Sequence, residues 1–294
     1  MTAHAKLVVL ALVACVAGCS VVTALTDLDS RYARDAADGS VSSDAAAVDA
    51  ALGQDGSATD SGDVDARTDG GVSPCATGTH TLCDDFDTAA ALGAAPTWTA
   101  SLLAQEGATI SLATDLPFSA PRALSAAFPA DAGGNPAASL SRGFVGPIGA
   151  LDCSFMLRPE TLDAKGLVQL LSITLPPPPA SAYAPAYLEL RLVDEHTDLR
   201  VGAPFADGGA GFSIQRDLGP PLVGQWLSVR IRLSALTTAP HLEIWLGGTL
   251  ATDEGLTLGP VARATLEIGA VTAIAGTRDW RVLFDDVVCD QAPP

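Results

Sequence analysis

The chain has 294 residues, with 28 Gly and 20 Pro against 5% aromatic residues, and a formal net charge of −18. That composition demands many turns and short elements and leaves room for one or two domains. The charge is spread over residues 19–73 (−8) and 74–294 (−11), so both parts repel phosphate backbones and anionic headgroups, and no nucleic-acid partner is expected.

The first 18 residues read as an address. Lys6 leads into LVVLALVACV, an apolar run of 10 residues, long enough for a secretory signal and too short to span a bilayer. Val16-Ala17-Gly18-Cys19 follows and resembles the lipobox of bacterial lipoproteins. The resemblance implies that residues 1–18 are removed and that Cys19 is lipidated, making the membrane a partner of the chain. Ser20, in place of Asp after that Cys, points by the same likeness to the outer membrane of the bacterial envelope.

Residues 19–73 are built largely from Ala, Asp, Gly, Ser, Thr and Val, with no aromatic after Tyr32. Such a stretch cannot bury enough apolar surface to offset its conformational entropy. It is expected to be a disordered acidic tether with a span of about 40 Å as a flexible coil. Its Asp residues lack the compact spacing of a calcium loop.

Setting aside Cys15, lost with the signal, and Cys19, four cysteines remain: Cys75, Cys83, Cys153 and Cys289. An even number in an exported chain indicates disulfides, with three connectivities open. The favoured pairing is Cys75 with Cys83, near in sequence, and Cys153 with Cys289, which requires their two strands to be neighbours. Zinc is the alternative, without a C-x-x-C spacing in its favour.

From residue 74 onward the chain reads as strand after strand. Segments 82–87, 108–113, 123–128, 139–144, 151–159, 167–175, 186–194, 211–216, 265–271 and 282–290 are short, apolar-rich and bounded by turn residues. The clearest alternation lies between Gly224 and Ala251. There Leu227, Val229, Ile231 and Leu233 oppose Trp226, Ser228, Arg230 and Arg232, and Leu242, Ile244 and Leu246 oppose His241, Glu243 and Trp245. Gly247-Gly248 supplies a tight hairpin turn. The prolines at 176–179 require a loop, the adjacent acids Asp194-Glu195 and Asp253-Glu254 are expected in turns, and no helix is predicted. Short strands over about 220 residues define an all-β antiparallel sandwich, residues 74–294, preceded by signal and tether.

The order W-x-x-V-x-I-x-L at Trp226 to Leu233, the hairpin at Leu242 to Leu250 and the terminal FDDVV resemble the concanavalin A-like lectin/glucanase jelly roll. The laminin-G-like branch is the most similar, and CDDFD and PRALSAAF match the opening of the same fold. Gly247, where that branch usually has Asn, is a departure. The resemblance implies a carbohydrate-binding or adhesion domain, with a divergent polysaccharide hydrolase or lyase as the alternative and a structural envelope protein as a third reading.

Catalytic signatures are missing from the sequence. Jelly-roll glucanases set acids in an E-x-D-x-E pattern, which places two carboxyls about 5 Å apart, and none occurs here. Lyases of this fold use Arg, Gln, His and Tyr in short motifs that this sequence lacks. The candidate ligand surface is therefore the polar side of the strands, Tyr187, Glu189 and Arg191 together with Arg230, Arg232, His241, Glu243 and Trp245, expected to share one face. On that reading aromatic rings and planar charged groups meet a glycan. The plainer reading is a solvated face held by cross-strand Glu and Arg pairs. Asp85, Asp87, Asp285 and Asp286 form a candidate calcium shell if the first and last strands pair; no cofactor is otherwise implied.

Overall fold

The computed structural model describes residues 73–294 apart from 88–91, 93–96, 103, 131–133, 162–165, 179–183, 194–195, 204–211, 260 and 275–278. The signal, Cys19, the tether and Asp194-Glu195 lie outside these residues. One helical turn, α1 (Pro74–Thr77), precedes an otherwise all-β unit. Ser73 caps it by accepting from the Cys75 N–H.

Two antiparallel sheets form the sandwich. The nine-stranded sheet runs β14 (Thr249–Gly255), β13 (His241–Leu246), β12 (Leu227–Ser234), β7 (Ala150–Thr161), β16 (Trp280–Ala292), β5 (Ala123–Phe128), β4 (Ala108–Ala113) and β3 (Ala104–Gln105), with β1 (Leu82–Asp84) also pairing with β16. The seven-stranded sheet runs β11 (Phe212–Asp217), β10 (His196–Ala203), β9 (Ala186–Val193), β8 (Leu167–Leu175), β15 (Ala264–Ile274), β6 (Ala138–Phe144) and β2 (Ala100–Leu102).

The alternation read from the sequence is what closes this core. Val229, Ile231, Leu233, Leu242 and Ile244 face Leu188, Leu190, Leu192, Leu199 and Val201 within a single apolar cluster. Burying each such side chain contributes about 1.5–3 kcal/mol. Trp280 stacks on Phe128 at 5.8 Å inside it, so that tryptophan is a packing residue. Both disulfides join the expected partners, Cys75 to Cys83 and Cys153 to Cys289. The second is possible because β7 and β16 are neighbours in register, with Cys153 opposite Cys289. At the hairpin Gly247 (φ 57°) and Gly248 (φ 78°) both take positive φ, as a two-residue turn matched to strand twist requires.

Several features depart from the sequence reading, the short α1, β2 and β3 among them. Strand β10, His196–Ala203, was not expected, because Asp198 and Gly202 belong to types depleted in strands. Asp253 and Glu254 lie inside β14 and not in a turn. Strand β8 carries a register shift between Gln169 and Leu171, so Leu170 and Leu171 both turn into the core and Gln169 and Ser172, three residues apart, share the opposite face.

Candidate functional site

The expected single ligand face is two faces. Arg230, Arg232, His241, Glu243 and Trp245 lie on β12 and β13 of the nine-stranded sheet, whereas Tyr187, Glu189 and Arg191 lie on β9 of the seven-stranded sheet. Each set points away from the shared core, so the sandwich separates them. Alternation shows which side chains share a side within a strand; it does not show which sheet a strand joins.

On the nine-stranded face the charged groups satisfy one another. Arg230 donates to both carboxylate oxygens of Asp152 at 2.9 and 2.6 Å, and its guanidinium lies 5.2 Å from the Trp245 ring centroid. Asp152 holds the Arg230 guanidinium above its ordinary pKa. Arg232 pairs with Glu243 at 3.5 Å, and His241 pairs with Asp253. The arginines remain about half exposed, at 51% and 48%, which matches the plainer reading of a solvated, cross-paired face.

The seven-stranded face is different in kind. Strand pairing sets transverse rows of side chains: Thr272, Gln169, Arg191, Asp198 and Asp217 in one, and Ser141, Glu267, Ser172, Glu189, Arg200 and Gln215 in the next. Several of these polar groups are nearly inaccessible. Arg191 is 4% and Gln169 7% exposed, although both sit opposite the core side of their strands. Arg191 is bound to Asp198, lies 4.0 Å from Glu189, and has an Nε–H without an acceptor. Neither Gln169 nor Ser172 makes a side-chain hydrogen bond among the described residues.

An aromatic platform borders these rows. The Arg200 guanidinium stands 5.3 Å from the Tyr187 ring centroid, and Tyr187 lies across Gly202, where any Cβ would collide with the ring. Two carboxyls complete the face. Burial raises the pKa of Glu189 against the opposing pull of Arg200 and Arg191, and burial alone raises that of Glu267. Residues absent from the sequence reading, Gln169, Asp198, Arg200, Gln215 and Glu267, thus make up much of the site. For Asp198, Arg200, Gln215 and Glu267 the signal that could have found them was the polar half of the alternation in 196–203, 212–217 and 264–268; for Gln169 the register shift in β8 hides it.

The calcium candidates do come near one another, since β1 pairs with β16 and Asp84 stands opposite Val287. Their oxygens are engaged by the protein. Asp85 accepts from Ser73 and from the Asp87 N–H, Asp87 from the Arg122 N–H, and Asp286 from the Ser119 hydroxyl at 3.0 Å. Asp285 accepts N–H groups of Phe118 and Ser119 at 2.9 and 3.0 Å. Burial, reinforced by the Asp286 charge and opposed by those N–H groups, raises its pKa to about 7. Among the described residues no group of three or more His, Cys, Asp or Glu side chains is arranged to hold a metal.

No protein-family model and no curated relative matches the chain. Solved structures similar to it include the alginate lyase A1-II′, a member of polysaccharide lyase family 7, at 11% identity and TM-score 0.45, covering 62% of this chain and 84% of that one. The marine family-7 alginate lyase AlyA1 from Zobellia galactanivorans shows 9% identity and TM-score 0.40, covering 59% and 79%. The binding domain of Paraclostridial Mosquitocidal Protein 1 shows 9% identity and TM-score 0.43, covering 68% and 45%. At such identities function has to be read from the site itself.

Proposed function

We propose that the outer face of the seven-stranded sheet is a polysaccharide-binding site, displayed by a lipoprotein whose Cys19 anchors it to the outer membrane through the acidic tether. One observation carries the reading: Arg191 is 4% exposed and its Nε–H has no acceptor among the described residues, beside Gln169, Ser172 and the Tyr187 and Arg200 platform. Buried polar groups without partners cost free energy unless a ligand or water completes them. Sugars offer hydroxyls for such groups and apolar faces for a ring. A glycan array with the mature chain tests this. Binding lost in Tyr187→Ala and Gln169→Ala and kept in Arg230→Ala and Trp245→Ala supports the seven-stranded face; the reverse pattern moves the site to the other sheet.

The second reading, polysaccharide degradation, is favoured by what shares this face. Tyr187, Arg191, Arg200 and Gln169 share this face from three strands, with His196 at its far end opposite Val193, the same side-chain types that lyases of the resembling fold use. Glu189 and Glu267 add two carboxyls two strands apart in one row, about 10 Å between their Cα atoms. Incubation with polysaccharides, followed by reducing-end release and ultraviolet absorption of unsaturated products, separates cleavage from binding alone.

A further inference from the structure

Glu267 is the one acid in its row without a cation beside it. It sits on β15, with Ser141 of β6 on one side and Ser172 of β8 on the other. Among the described residues it makes no hydrogen bond or ion pair, and burial alone acts on its carboxyl. Neither arginine of the face adjoins Glu267 in the row: Arg191 is paired with Asp198 and Glu189, and Arg200 stacks on the Tyr187 ring in the field of Glu189, two strands from Ser172. Counting Glu189, Asp198 and Glu267 against Arg191 and Arg200, the centre of the face carries one negative charge more than positive.

A ligand lying over Ser172 would therefore meet a half-buried carboxylate from which water is partly removed. A carboxylate on the ligand at that point would face Glu267 on the neighbouring strand and find Arg200 no nearer than two strands away, so the two anions would repel across a weakly screening surface. A neutral hydroxyl could donate one hydrogen bond to Glu267. An ammonium would donate a charge-assisted one and cancel the excess charge, the stronger of these contacts.

We propose that this face selects polysaccharides bearing free amines, with Glu267 as counter-ion to one amino sugar and Ser172 and Gln169 hydrogen-bonding the same or the next unit. The assignment rests on the reading of this face as a polysaccharide site and narrows it to a substrate class. It turns on charge, so it can fail while the parent reading stands.

The test is calorimetric titration of the mature chain at pH 6 with three oligomers of equal length: glucosamine, N-acetylglucosamine and a uronic acid. The expected order is glucosamine tightest, by about tenfold over the acetylated form as one charge-assisted hydrogen bond implies, with the uronic acid weakest. Glu267→Gln should remove that preference while leaving binding of the acetylated oligomer in place. Asp253→Asn, on the opposite sheet, should leave all three unchanged and so exclude mere attraction to an acidic protein. Equal or tighter binding of the uronic acid, or a preference for amine that survives in Glu267→Gln, overturns the inference and leaves the polysaccharide site intact. If none of the three binds, the face itself is misassigned. Should Glu267→Gln fail to fold, Glu267→Ser is the second variant, and it must lose the same preference.

Discussion

The two outer faces of the sandwich carry similar residue types and use them in opposite ways. On the nine-stranded sheet Arg230 and Asp152 form a bidentate pair that stays half in water. On the seven-stranded sheet Arg191 and Asp198 form a pair almost fully removed from it, at 4% and 8% exposure. The same ion pair has different consequences in the two settings. Exposed pairs contribute little, because solvent and salt screen them, whereas a buried pair has already lost its hydration and depends on its geometry. On one sheet the charges are sheltered and a guanidinium N–H is left without an acceptor among the described residues; on the other the charges cancel in solvent.

Removing one partner from each pair sets the two faces furthest apart. Asp198→Ala should destabilise the domain by about 3 kcal/mol, because it leaves the buried Arg191 charge with only Glu189, 4.0 Å away, to offset it. Asp152→Ala should cost about 0–1 kcal/mol. Urea denaturation of both variants reads the contrast directly; equal losses would mean that the two faces do not differ as described.

Among the described residues the nine-stranded sheet has one fully buried carboxyl, and its pH response sharpens the contrast. Asp285 is fully buried, and its pKa of about 7 lies above the ordinary 3.8. Between those values the folded state holds a proton that the unfolded chain has released. Its contribution to stability is therefore complete below about pH 4 and lost as pH rises through about 7, an effect of up to about 4 kcal/mol. Melting curves from pH 4 to 8 should show the midpoint falling with pH, and Asp285→Asn should flatten that part of the profile. The exposed Asp115, which Arg281 holds below its ordinary pKa, should add nothing comparable.

Much of this fold is legible in the chain because burial enforces a period of two. Where one face of a strand is apolar and the other charged, as in 227–233 and 241–246, the element and its core side follow without further information. Both disulfides were also within reach, since only neighbouring strands permit Cys153 to meet Cys289. What escaped is long-range. Strand β10 is held by pairing with β9 and β11, and its HTDLRVGA sequence has weak strand propensity of its own. The candidate site escaped for the same reason: its rows are assembled across strands distant in sequence. The shift at Leu170 brings Gln169 and Ser172 to one side, against the plain alternation that would place them on opposite faces.

Smaller effects separate the faces by function. Gly202→Ala places a methyl group where the Tyr187 ring lies, so the ring must lift from the sheet and lose its place beneath Arg200. Overpacking of this kind costs about 1–3 kcal/mol, and glycan binding should fall with it. Trp245→Ala on the other sheet removes a ring from Arg230 but leaves the pair with Asp152, so stability should change by about 0.5–1 kcal/mol and binding not at all. The pair of variants distinguishes two roles for an arginine over an aromatic ring: on one sheet a ligand platform, on the other a surface clasp. Loss of glycan binding in Trp245→Ala, with Gly202→Ala still binding, would exchange those roles.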